Sequence, residues 1–187
     1  MAAQTDSAKE VPLTKKIAWA AVASAATGVG FLLTAPIPLI PGAIHWRVLA
    51  FLPCIFGILF GPRIGFISGA IGNTIWAVLG GYFNIATPIF DLIGVGLTGL
   101  IPGLFVRPEE THNLKGLAKA TFFATLSGII MIPIVAVGFQ WAGVSPFGPA
   151  VYFLAVSDMP PIIVGTPIAL ALVAPVLRSA GLLEGRW

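Results

Sequence analysis

Residues 52–73 read LPCIFGILFGPRIGFISGAIGN. An apolar run ends at Gly61-Pro62-Arg63 and a second begins at Ile64. Gly-Pro marks a turn, and a proline at the start of a helix loses no hydrogen bond, so the stretch reads as two helices folded back on each other around one cation. A β-barrel would need alternating apolar and polar residues in segments of about 10. These runs are instead continuously apolar and rich in glycine. Gly61, Gly65 and Gly69 recur every four residues, a small-residue ridge that lets helix backbones approach closely in lipid.

The same kind of run recurs on both sides. Apolar segments extend over Ile17 to Thr34, Arg47 to Phe60, Ile64 to Gly80, Ile89 to Val106, Leu117 to Gly138 and Val151 to Arg178. A helix needs roughly 20 residues to cross the hydrocarbon core, so the chain predicts an all-α polytopic membrane protein, a compact bundle of six transmembrane helices. Residues 17–187 form that single domain behind a polar tail, residues 1–16. Composition agrees: 57% of residues are hydrophobic and 9% charged, about a third of the charged share of a soluble domain.

Charge sets the expected orientation. Lys9, Lys15, Lys16, Arg63, Arg107, Lys115, Lys119, Arg178 and Arg186 fall on one side of the threaded spans, and only Arg47 falls on the other. Cytoplasmic loops carry the excess of Lys and Arg, so both termini are expected in the cytoplasm of a prokaryotic cell, with the chain multi-pass in its cell membrane. The net charge of +3 follows from that asymmetry and implies no nucleic-acid partner. Ala23-Ser24-Ala25 resembles a secretory cleavage site, but the apolar run continues to Leu33, and the segment is retained as span one.

Prolines mark the irregular places. The first loop, APIPLIPGAIHW at 35–46, is too proline-rich for a regular helix and is a candidate lid. Span two is short and is expected to tilt or kink around Pro53. Pro160-Pro161 and Pro167 predict a break near the outer end of span six. Gly94, Gly96 and Gly99 match the dinucleotide fingerprint G-x-G-x-x-G, but they lie inside a span, where the pattern describes packing. Cys54 is alone in the chain, so it implies neither a disulfide nor a cysteine-based metal site.

Ionisable residues inside spans are costly and mark function by default. Asp91 falls in the first turn of span four and Asp158 below the outer end of span six. With them the outer half collects His45, Trp46, Arg47, Asn73, Trp76, Tyr82, Asn84, Gln140 and Trp141. Each has a second reading. Trp46, Tyr82 and Trp141 suit an aromatic belt, Arg47 and Asp91 suit an interfacial ion pair, Asn73 suits a tie between helices, and His45 suits simple solvation. Taken together they describe a one-sided cavity under a stiff lid, suited to capturing a small polar molecule from outside. Two carboxylates against one Arg favour a neutral or cationic ligand with rings for stacking.

Several activities are excluded. His45 and His112 lie on opposite faces, so neither a histidine metal centre nor a Ser-His pair can assemble. One His without cysteine also disfavours a metal-ion cargo. No phosphate-cradling loop precedes a Lys-Ser or Lys-Thr pair, so energy for transport comes from a partner or a gradient. Enzyme activity and a resident cofactor are not expected.

Six short spans, a Pro-rich first loop and the run at 52–73 resemble the substrate-binding S component of energy-coupling factor (ECF) transporters. The resemblance covers essentially the whole chain. It implies capture of a vitamin or metal ion at the outer side, in a complex with a coupling membrane subunit and two ATPase subunits. It also implies that span one touches the coupling subunit through an A-x-x-x-A contact, here Ala21 to Ala25, with Ala20, Ser24 and Gly28 as an adjacent ridge. The implied ligand contacts fall on His45 to Arg47, Tyr82, Asn84, Asp91, Gln140, Trp141 and Asp158. A solitary or oligomeric permease, and an accessory subunit whose polar set is filled by a neighbour or a membrane lipid, remain the alternatives.

Overall fold

A computed structural model of the chain describes residues 12–34, 37–40 and 44–183. The tail at 1–11, part of the first loop and the last four residues lie outside the described residues. Six α-helices carry the fold: α1 (Leu13–Thr34), α2 (Leu52–Phe60), α3 (Pro62–Leu79), α4 (Pro88–Phe105), α5 (Leu114–Trp141) and α6 (Phe147–Ser179). Four of them, α1, α4, α5 and α6, are long and apolar enough to cross a membrane by themselves. The protein is an all-α, multi-pass membrane protein.

The second apolar run departs from its expected form. Residues 48–51 are turns, and the helix starts only at Leu52, with Pro53 in its first turn rather than at a kink. Nine residues rise about 14 Å, half the hydrocarbon thickness. The described part of the first loop pairs as an antiparallel hairpin of β1 (Pro38–Ile40) and β2 (Ile44–His45) against α6. Irregular backbone at that depth is tolerated because it is enclosed by protein; Ile44, His45 and Arg47 are all buried. The α1 helix also begins earlier than expected, so Lys15 and Lys16 lie in its first turns and not in a tail.

The expected break in span six is absent. Residues 147–179 form one continuous helix through Pro160, Pro161, Pro167 and Pro175. Proline removes a donor but keeps a helical φ, and buried Ser157, Asp158, Ile162 and Thr166 hold this stretch against the bundle, where neighbours can satisfy freed carbonyls.

Glycines make the central seam. A Cβ on Gly99 would collide with the backbone of Gly65, one on Gly57 with the Gly99 carbonyl, and one on Gly69 with the Val95 carbonyl. Helices α2, α3 and α4 therefore touch backbone to backbone. Gly61 does something different: its φ of 107° makes the reversal between α2 and α3. The fingerprint-like glycines of α4 serve three neighbours, with Gly94 against Val135, Gly96 against Phe66 and Gly99 against Gly65.

Among the described residues, the basic side chains other than Arg47 gather at one end of the bundle. Trp19 of α1 stacks on Phe60 at 4.2 Å, the core there joins Ile64, Val106, Ala120 and Ala174, and Arg178 Nη2 donates to the Pro108 carbonyl at 2.9 Å. In the short 3-10 turn Pro108–His112, Glu110 accepts from Lys119 Nζ at 2.9 and 3.1 Å and from the Arg107 amide at 3.2 Å. The Lys119 hydrogen bond, then the amide, hold the Glu110 carboxyl below the usual glutamate range. A depressed folded-state value stabilises above the unfolded pKa and is lost as pH falls through the folded one. Glu110→Gln is therefore expected to lower thermal stability slightly at neutral pH, by at most about 1 kcal/mol for so exposed a pair. The difference from wild type should shrink as pH falls through the folded-state value; an equal deficit at neutral and at acid pH in melting curves would refute it.

Candidate functional site

At the opposite end, the hairpin, α3, α4, α5 and α6 enclose a cavity of about 60 Å³. Its polar lining comprises His45, Arg47, Asn73, Thr74, Trp76, Tyr82, Asn84, Thr87 and Asp91. Ile44, Phe83, Val95, Val135, Phe139, Val144 and Leu154 form much of the apolar wall.

Arg47 organises the floor. Its Nε donates to Asp158 Oδ1 at 3.0 Å, its Nη2 pairs with Asp158 Oδ2, and its Nη1 donates to Asn73 Oδ1 at 2.8 Å. Guanidinium has five N–H donors in a planar fork, which suits bidentate pairing to a carboxylate on one edge while another edge stays available. The guanidinium carbon also lies 5.1 Å from the Phe31 ring centre and 5.5 Å from that of Trp76, within cation–π range. Asp158 is wholly buried and lies about 16 Å from the start of α6, so the pair draws the end of the hairpin deep into the bundle. Ser157 Oγ lies 2.6 Å from the His45 carbonyl and 2.8 Å from Asp158 Oδ1, linking the hairpin backbone to the same network.

The aromatic wall is a contiguous cluster. The His45 ring lies 4.1 Å from Tyr82 and 5.8 Å from Trp76, and Trp76 lies 5.4 Å from Tyr82. Two polar atoms in it, His45 Nδ1 and Trp76 Nε1, are buried and have no hydrogen-bond partner among the described residues. An unpaired buried donor or acceptor costs about 1–3 kcal/mol, so such atoms on a cavity wall mark places where a ligand can bond.

The cavity unites seven of the eleven residues singled out in the sequence: His45, Arg47, Asn73, Trp76, Tyr82, Asn84 and Asp91. The other four stand elsewhere. Trp46 and Gln140 are exposed, Trp141 is 70% exposed beside Phe90, and Asp158 lies behind Arg47 rather than on the wall. The cation's partner is Asp158, not Asp91; among the described residues Asp91 has no ion-pair partner. The sequence reading missed Ser157 and the apolar wall. Serine beside an intramembrane Asp was an available signal, whereas apolar cavity residues look like lipid-facing ones.

On α1, Ala21 and Ala25 are exposed and Ala20 is half-buried. Ser24 and Gly28 face inward: the Ser24 hydroxyl donates to the Ile67 carbonyl at 3.4 Å, and a Cβ on Gly28 would lie 2.7 Å from Ile75.

A helical membrane bundle with a polar, aromatic-walled cavity at the end opposite its basic loops has the form of a membrane-embedded solute-binding component. Comparison with known families gives the finer assignment. Residues 13–177 match the profile of the ECF-type riboflavin transporter S component, and the chain belongs to that family. It is also similar to the probable biotin transporter BioY of Lysinibacillus sphaericus, with 29% identity over 140 residues, 71% of this chain and 67% of that protein. No solved structure matches it significantly. The family is one of transport components rather than enzymes.

Proposed function

We propose that this chain captures an uncharged, ring-bearing vitamin of the riboflavin type from outside the cell and delivers it inward together with a coupling membrane subunit and two ATPases. The observation that carries the choice of ligand is the state of Arg47. Its charge is matched by Asp158, so it offers a substrate hydrogen-bond donors rather than a free positive charge. Asp91, on the wall without an ion-pair partner among the described residues, disfavours an anion further. The His45, Trp76 and Tyr82 rings suit a flat heterocycle, and the Trp76 indole N–H suits a ring acceptor. A biotin-type ligand, suggested by the similarity to BioY, would bring a carboxylate into this field.

The basic end supports a cytoplasmic placement of both termini and an outward-facing cavity in the prokaryotic cell membrane. A cavity of about 60 Å³ has room for only a few waters, so a vitamin enters as the hairpin and the 80–87 loop separate. Equilibrium binding to the purified chain tests the ligand. Riboflavin is expected to bind about 100-fold more tightly than biotin, since a like charge in such a site costs several kcal/mol. Equal or tighter binding of biotin would contradict the proposal.

A further inference from the structure

We infer that Asp158 is a specificity-determining residue that acts through Arg47, fixing the charge the cavity presents while touching no ligand itself. The inference rests on the reading of the cavity as the ligand site.

Three observations converge on it. Asp158 is wholly buried and absent from the cavity wall, whereas Arg47 is on that wall. Both Asp158 oxygens are committed to the Nε and Nη2 edge of the guanidinium, the side facing away from Asn73. The hydroxyl of Ser157, its neighbour on α6, lies within donating distance of both Asp158 Oδ1 and the His45 carbonyl and has one proton to give them, so the same element sets the height of the hairpin. The arrangement cancels the cation from behind. Among the described residues three of the five guanidinium N–H groups are used, leaving two to donate to an uncharged carbonyl acceptor. Without the Asp158 charge, Arg47 would present an unmatched cation to the cavity, and a carboxylate would become the favoured occupant.

The test uses the full chain in detergent, with riboflavin as the uncharged probe and biotin as the carboxylate probe. In Asp158→Asn, an isosteric change, the ratio of riboflavin to biotin affinity is expected to fall at least about tenfold. A structural defect would weaken both probes together and leave the ratio in place; an unchanged ratio in the folded variant overturns the inference. A second readout needs no vitamin: sodium acetate at about 100 mM should raise the Tm of Asp158→Asn and not that of wild type, by binding the freed guanidinium. No acetate effect on the folded variant likewise overturns the inference.

Should Asp158→Asn fail to fold, Asp158→Glu keeps a carboxylate behind Arg47. Its affinity ratio should stay within about threefold of wild type, because the charge that Arg47 presents is unchanged. A tenfold or larger move overturns the inference. Wild type that binds no riboflavin counts against the ligand reading alone, and the acetate result then still decides the role of Asp158.

Discussion

Arg47→Ala is expected to abolish ligand binding and to destabilise the folded chain by about 3–5 kcal/mol, the cost of removing one partner of a buried ion pair. Among the described residues Asp158 would keep only the Ser157 hydroxyl as a nearby donor, at a position with no exposure. The same substitution frees Asn73 and removes the link between the hairpin end and α6. Against a total stability of about 5–15 kcal/mol, that loss leaves a chain that melts far earlier. Detergent melting curves followed by size exclusion measure it. The double variant Arg47→Gln/Asp158→Asn should recover most of the stability, since the damage comes from the uncompensated charge. An Arg47→Ala protein melting within a degree or two of wild type would show that the pair does not hold the hairpin.

Gly99→Ala is expected to be as damaging, by a different route. The added methyl would collide with the Gly65 carbonyl, and the obstacle is backbone rather than a side chain that can turn away. Overpacking commonly costs about 1–3 kcal/mol; with no rotamer to relieve it, the upper end or beyond is expected here. Helices α3 and α4 must separate, and their cavity ends carry Asn73, Trp76 and Asp91. The yield of monodisperse protein should collapse, while Gly148→Ala, at a glycine with nothing within 4 Å, should be neutral. Equal behaviour of the two variants would remove the seam from the account.

Much of this was legible because lipid imposes simple rules. The turn at Gly61 to Arg63, the helical class and the clustering of basic residues follow from apolar length, glycine-proline punctuation and charge placement. That span two is short was legible, but not that its helix starts only at Leu52. Arg47 to Phe51 is as apolar as a helix continuing from Leu52, and composition does not reveal that the hairpin brings Arg47 to a carboxylate 111 positions away. For the same reason the sequence left Asp91 as a partner for Arg47. The prolines of α6 misled because they mark lost donors, and a lost donor breaks a helix only when the surroundings do not hold it. Within the site, polar residues stood out against an apolar background. Trp46 and Trp141 stood out equally yet lie outside the wall, since an aromatic at the membrane boundary looks the same whichever way it faces. Val95, Val135 and Leu154 carry no signal that separates cavity from lipid.

The cavity is proposed to hold an uncharged heterocyclic vitamin. Native mass spectrometry of the chain purified gently from membranes of cells supplied with both vitamins tests it most directly. The account predicts retention of a neutral flavin that is lost in Trp76→Ala. Retention of biotin or another carboxylate ligand, equally held by both proteins, would contradict it.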